Sequence, residues 1–256
     1  MGTKLVRSKG LIKGLIGVVA AAAICAACKP VPPQQRLSPS VATIRATVVT
    51  IRTTLQPQNK TFTHWLVIAN GRARSGDEVD AWRLFDLQKN EVAFVDDVAK
   101  TVRRVPMAEL LAGRRKALAQ PVPVPLPRAE VVATGAKRVL QGVEAAESVI
   151  RLGAYQRSLW IAKHPALPDS LFAMTQVSTP PASSLAGIAR AADDALVTMQ
   201  GFPLVDHSEL PYGNKKMVVD HSVIKIEQRD VPESWLSISS DYKDLTAPAA
   251  RPRSAS

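Results

Sequence analysis

The sequence predicts an α+β protein in which a strongly curved antiparallel sheet carries a few helices on its concave face. Short runs of β-branched and aromatic residues recur between polar turns from residue 41 to 105, and again from 128 to 165. Between the two groups stands one helical stretch opened by a proline, and further helical stretches follow the second group. No period of solenoid length recurs, so these segments belong to one domain, placed at 41–246.

Taken in order, "VATIRATVVTIRTTL" is dense in β-branched residues and alternates, which predicts a long first strand. "TFTHWLVIA" follows and ends in Asn70-Gly71, a two-residue hairpin signal. After a polar turn around Gly76 come two more strands, "EVDAWRLFDL" and "EVAFVDD", separated by "QKN"; "KTVRRV" closes the meander. Pro106 opens "PMAELLAGRRKALAQ", where Leu110, Leu111 and Leu118 mark one apolar side of a helix. "PVPVPLP" ends it and reads as an extended crossing. Strands resume with "RAEVVATGAKRVL", "ESVIRLGAY" and "RSLWIAKHP". Pro168 to Met199 reads as two helices broken at Pro180-Pro181, followed by a hairpin over 201–230, the segment "VPESWLSISSDYKDL" and a disordered tail, 247–256.

Part of the net charge of +11 is an address. Lys4, Arg7, Lys9 and Lys13 precede or interrupt an apolar run from Leu11 to Ala27 that ends in small residues, the layout of a signal peptide over residues 1–28. From Gly14 to Cys28 there are only 15 uncharged residues, against the roughly 20 that a spanning helix needs, which favours a processed signal over an anchor. Cys25 and Cys28 form a C-x-x-C, but they lie in signal sequence without a second such pair or a histidine at ligand spacing, so neither a metal nor disulfide exchange is predicted. The stretch resembles a bacterial lipobox, in which small residues precede a cysteine that is acylated. Cys28, after Ala26 and Ala27, takes that place; Cys25 stands where the pattern usually has Leu. Simple cleavage and retention of the segment are the alternatives. With Cys28 lipidated, the folded part of the mature protein holds no thiol. Residues 29–40, "KPVPPQQRLSPS", read as a Pro-rich tether. Lys29 stands where an Asp commonly means inner-membrane retention in such lipoproteins, so the resemblance implies the periplasmic side of the outer membrane.

Chemistry is sparse. Phosphate-cradling glycine motifs, G-x-S-x-G and H-E-x-x-H are all absent, and the four histidines, 64, 164, 207 and 221, are scattered. "VDHS" occurs at 205–208 and at 219–222. With Gly213-Asn214 as a two-residue turn, Asp206 faces His221 and His207 faces Asp220, on opposite sides of the sheet, so one metal cannot reach both pairs. One pair could assist a proton transfer, but lacks a third partner; a charge-paired hairpin with a solvated side is the stronger reading. Asp96 and Asp97 read as a turn. Arg103-Arg104 and Arg114-Arg115-Lys116 lack interleaved aromatics, so they suit a solvated face or an anionic lipid surface, not nucleic acid. Catalytic, cofactor and metal residues are therefore all predicted to be none, and an enzyme is not expected. Trp65, Trp82, Phe85, Phe94, Trp160 and Phe172 are core residues that could also line an apolar cavity.

Three stretches in order, "DAWRLFDLQKNEVAFVDDVAKTVRRV", "GAYQRSLWIAKHPALP" and "IKIEQRDVPESWLSISSDYKDL", are similar to a family of bacterial envelope proteins of unknown function. Two positions depart from its ending: Asp241 stands where Gly precedes the Tyr-Lys, and Trp235 where Phe is expected. Related families have the lipoprotein-carrier (LolA/LolB-like) fold, an unclosed β-barrel around helices with a cavity for acyl chains. The resemblance implies that fold, and an exported, lipid-anchored protein that binds the acyl chain of a lipid or lipoprotein. The alternative expectation is a structural or protein-interaction component of the envelope.

Overall fold

Alternating apolar patterns of the first half need a partner on each side, and the chain supplies it by bringing its first long strand against its last. In the computed structural model the described residues are 42–76, 80–118, 129–178, 196, 199–212 and 215–246. The first meander is β1 (Thr43–Gln56), β2 (Lys60–Ala69), β3 (Arg72–Gly76), β4 (Ala81–Asp86), β5 (Glu91–Asp96) and β6 (Thr101–Pro106). Helix α1 (Met107–Leu118) follows. The second meander is β7 (Glu130–Leu140), β8 (Val143–Leu152), β9 (Tyr155–Ala162), then helix α2 (Asp169–Ser178), β10 (Phe202–Tyr212) and β11 (Lys215–Pro232). A 3-10 turn, Glu233–Leu236, leads to the short β12 (Lys243–Asp244).

The twelve strands of the described residues form one sheet in the order β12-β6-β5-β4-β3-β2-β1-β11-β10-β9-β8-β7. Its pairs are antiparallel except β12 with β6. The sheet is curved and does not close, since β12 and β7 end it. The molecule is more sheet than the expected α+β arrangement implies, with α1 and α2 as its helices among the described residues. The signal peptide, Cys28, the tether, the "PVPVPLP" crossing, the helix after Pro180-Pro181, the Gly213-Asn214 turn and the tail lie outside the described residues.

Strand β1 is buried continuously from Ala46 to Val49, which requires cover on both faces. Val49 and Ile51 point to the face that receives the helices, where they join Leu66, Phe85, Val92, Ile150, Leu159 and Phe202. Ala46 and Val48 point to the other, with Val67, Trp82, Leu84, Val95, Val102 and Val231. Those apolar side chains are covered by the segment after β11, here called the strap, through Trp235, Leu236, Ile238 and Tyr242.

Polar bonds pin the strap. Arg72 Nη1 donates to the Leu236 carbonyl at 3.2 Å and Arg74 Nη1 to that of Trp235 at 3.4 Å. The Arg74 guanidinium also stacks 4.0 Å above the Trp82 ring. Trp82 Nε1 donates to Asp97 at 3.1 Å, and the Tyr242 hydroxyl donates to the same carboxylate. Beyond Tyr242 the chain joins the edge of β6, with Leu245 N donating to the Val102 carbonyl at 2.7 Å and Arg104 paired with Asp244.

This arrangement explains β3, where the sequence reading placed only a polar turn. "RARSG" has one apolar residue facing the helices, Ala73, while its arginines face the strap, whose carbonyls they satisfy. The Asn70-Gly71 hairpin stands as expected: both residues have positive φ, 51° and 71°, the pairing of a type I′ turn. The positive φ is what asks for glycine at 71; a Cβ there would lie 2.9 Å from Gln88 Nε2, the end of a side chain that can move aside.

Because the strap is the sole cover seen over Leu84, Val95 and Val102 among the described residues, Leu236→Ala should lower unfolding free energy by about 2–5 kcal/mol. Urea unfolding of the variant measures it; a loss below ~1 kcal/mol would mean that the strap packs loosely.

Candidate functional site

Strand direction separates two ends of the helix-bearing face. At the end marked by the Asn70-Gly71 turn, β6 passes into α1, β9 leads toward α2, and β10 begins. There Phe172 of α2 meets Phe202 edge to face, ring centroids 6.3 Å apart. Arg114 Nη1 of α1 donates to the Gln176 carbonyl of α2 at 3.1 Å, which ties the two helices together. The cluster beneath is apolar and soft. All four methionines after Met1 belong to it: Met107 and Met174 are buried, and Met199 and Met217 pack at its margin. None belongs to the cluster under the strap. Thioether side chains have many low-energy shapes, so the packing of this face is more adaptable than that of the Trp- and Val-lined face.

Toward the opposite end, marked by the turn at Asn59, the same face becomes polar. The alternation in β9 sets Tyr155, Arg157 and Leu159 on one side, with Tyr155 and Leu159 in the apolar cluster. Arg157 is held between them by Asp206 of β10: Nε donates to Oδ1 at 2.8 Å and Nη2 to Oδ2 at 2.6 Å. The pair is largely withdrawn from water, with side chains 13% and 8% exposed. Burial alone would lower the Arg157 pKa; the adjacent carboxylate more than offsets this and raises it. Burial also raises that of Tyr155, with Ser208 and Arg157 acting in the opposite direction. Across the sheet Asp206 pairs in register with His221, His221 with Thr53, and Thr53 with Phe62. Thr53 Oγ1 and His221 Nδ1 share a hydrogen bond of 2.8 Å. The result is a polar belt across β1, β11, β10 and β9, bordered on β2 by the exposed ring of Phe62.

The register predicted for the two VDHS segments is the one observed. Asp206, however, turns both carboxylate oxygens to Arg157 on the neighbouring strand, and Thr53 bonds His221. On the outer face the expected Asp/His pair forms, with His207 Nδ1 2.6 Å from Asp220. Its Nε2 lies 3.3 Å from Glu209, which is in turn bonded to Lys216 at 2.7 Å. Hydrogen bonding to Asp220, and then to Glu209, raises the His207 pKa. Among the described residues no group of three or more His, Cys, Asp or Glu side chains could hold a metal ion.

Of the six aromatic candidates, Phe85 and Phe172 are buried in the helix-face cluster and Phe94 packs against it. Trp160 is half-buried at its margin, under the Arg138 guanidinium 3.8 Å away. Trp65 and Trp82 lie on the other side of the sheet, in the second cluster under the strap. Sequence reasoning missed Arg157, Tyr155 and Thr53. A period-2 reading of "YQRSLW", which puts an arginine in line with Tyr155 and Leu159, carried the signal for the first two. Asp96 makes the expected turn by accepting from Val98 N and Ala99 N, whereas Asp97 serves as the strap's anchor. The basic runs divide: Arg104 pairs with Asp244, Arg103 stacks 5.3 Å over Phe94, Arg114 joins the helices, and Arg115 and Lys116 are exposed.

No family model matches the sequence, and no curated protein matches it. Among solved structures, PNGF-II in its C2 crystal form is 10% identical with a TM-score of 0.43, and in its P21 form 9% identical with 0.41. Each match covers 80% of this chain, which spans 31% and 32% of the length of those chains. A LolA superfamily protein, NE2245 from Nitrosomonas europaea, is 10% identical with a TM-score of 0.25, over 77% of this chain and 91% of its own.

Asp206→Leu leaves a buried guanidinium without its counter-charge and should cost about 3–5 kcal/mol in denaturant unfolding. Replacing both partners, Arg157→Met with Asp206→Leu, should restore most of that; a double variant as unstable as the single one would refute the pairing argument. His207 gives a pH dependence of opposite sign to that of a carboxylate. Its folded pKa is raised, so its contribution to stability is complete below about pH 6.5 and is lost as pH climbs through the folded value. NMR titration should place the His207 midpoint above 6.5, and Asp220→Asn should bring it down.

Proposed function

We propose that this protein is exported, is anchored in the bacterial envelope through a lipid on Cys28, and holds the acyl chain of a lipid or lipoprotein between its sheet and its helices. It acts by burial, without a covalent step. The observation that carries this reading is the contrast between the two faces of the sheet. One is pinned under a strap by hydrogen bonds and cation–π contacts; the other is apolar, covered by helices and supplied with all the methionines after Met1. Each methylene transferred from water to such a face contributes about 0.8 kcal/mol, so part of one acyl chain is a sufficient anchor. The signal and lipobox pattern of residues 1–28 and the order of family-like stretches support the location, the periplasmic side of the outer membrane, and a lipoprotein-carrier-like role.

A second reading, a protein-interaction component of the envelope, is favoured by the β7 edge. That strand is exposed along almost its whole length, Val131 and Val139 included, and a strand edge of this kind can accept another chain.

Native mass spectrometry of the full chain separates the two. A co-purified lipid, or uptake of an offered long-chain acyl compound, is expected for the carrier; binding of neither would favour the interaction protein. For the anchor, Cys28→Ala should abolish acylation and release the protein from membranes. A variant still processed and membrane-bound would count against lipidation.

A further inference from the structure

Within that carrier reading, we infer that the belt formed by Arg157, Asp206, Tyr155, Ser208, Thr53 and His221 is the subsite for the ligand's head, and that this head is polar but uncharged: hydroxyl, ester or amide groups on an acyl chain.

The belt stands where apolar residues would be expected. Its positions share the helix-bearing face with Ile51, Ile150, Leu159 and Val223, all members or neighbours of the apolar cluster. A desolvated ion pair gives no stability advantage over two apolar side chains of the same volume, so core packing does not account for it. What it does supply is a concentrated set of hydrogen-bonding groups beside an apolar surface, the pattern of a site that orients an amphiphile.

Position and charge then narrow the ligand. Both helices enter from the Asn70 end, while the belt lies toward the Asn59 end, next to the exposed ring of Phe62. An acyl chain under the helices would leave its head at the belt. Asp206 has its two oxygens taken by Arg157, so these charges cancel, His221 is occupied by Thr53, and the groups that remain are the hydroxyls of Tyr155, Ser208 and Thr53. The hydroxyls of Tyr155, Ser208 and Thr53 can each donate and accept. A carboxylate or ammonium head placed there would lose hydration without meeting a counter-charge, whereas a glyceryl or amide head would exchange hydrogen bonds on equal terms.

The test uses the full chain and displacement of a fluorescent alkyl probe by three compounds of equal chain length: monopalmitoylglycerol, palmitate and hexadecane. Monopalmitoylglycerol should bind about tenfold more tightly than either of the others, the effect of one or two well-made hydrogen bonds. The Arg157→Met/Asp206→Leu double variant and, separately, Tyr155→Phe should reduce that advantage while hexadecane binding stays unchanged. Tyr155→Phe preserves the ion pair, so it remains informative should the double variant fold poorly. Palmitate binding as tightly as monopalmitoylglycerol, or an advantage untouched by both variants, would overturn the inference and leave the carrier reading standing. Binding of none of the three would remove the carrier reading itself.

Discussion

The pairing of β1 with β11 is the interaction on which the rest depends. Fourteen registered residue pairs join Thr43–Gln56 to the strand that ends at Pro232, across most of the described chain. The first meander is a run of local hairpins, cheap in loop-closure entropy, and the second is one except for the return from β9 through α2 to β10. Fusing them requires the first strand to wait for the last long one, a non-local contact that makes folding slow relative to helical proteins of similar size. Once made, it places β1 in the middle of the sheet, where its residues Ala46–Val49 are buried from both sides.

A sheet apolar on both faces needs two covers, and this chain makes them by different means. On one face, short helices contribute aliphatic, aromatic and thioether side chains; on the other, an irregular segment lies across the strands and relies on hydrogen bonds from Arg72 and Arg74 to its carbonyls and from its Tyr242 to Asp97. Burial lowers the Arg74 pKa, and the nearby Asp97 opposes that, which is the electrostatic cost and partial compensation of holding an arginine against an indole. The specific, directional contacts are thus concentrated on the strap side and the adaptable ones beneath the helices.

Much of this was legible in the sequence, for identifiable reasons. Alternation and turn residues located β1, β2, β4, β5 and β6, because each presents β-branched or aromatic residues to a half-buried surface. Asn70-Gly71 and the Pro106 helix start were local signals and stood. β3 was not legible, because its arginines are strand residues only in the presence of the strap's carbonyls, which lie some 160 positions away. The same limit applies to Trp65 and Trp82: hydrophobicity indicated burial, but not which face of the sheet. The VDHS register followed from turn length, yet Asp206 found its partner on β9, and no property of the hairpin pointed there.

The strap also has a consequence for how the chain could fail. It covers two surfaces at once: the Trp- and Val-lined face of the first meander, and the free edge of β6, which β12 occupies by parallel pairing. A chain cut after β11 would uncover both together, presenting an unpaired strand edge beside an exposed apolar sheet. Those are the two ingredients of intermolecular β-sheet growth. A proteolytic nick in the strap would therefore create an aggregation-prone species, and the latch of Tyr242 on Asp97, a carboxylate that Trp82 also bonds, stands between the native state and that outcome.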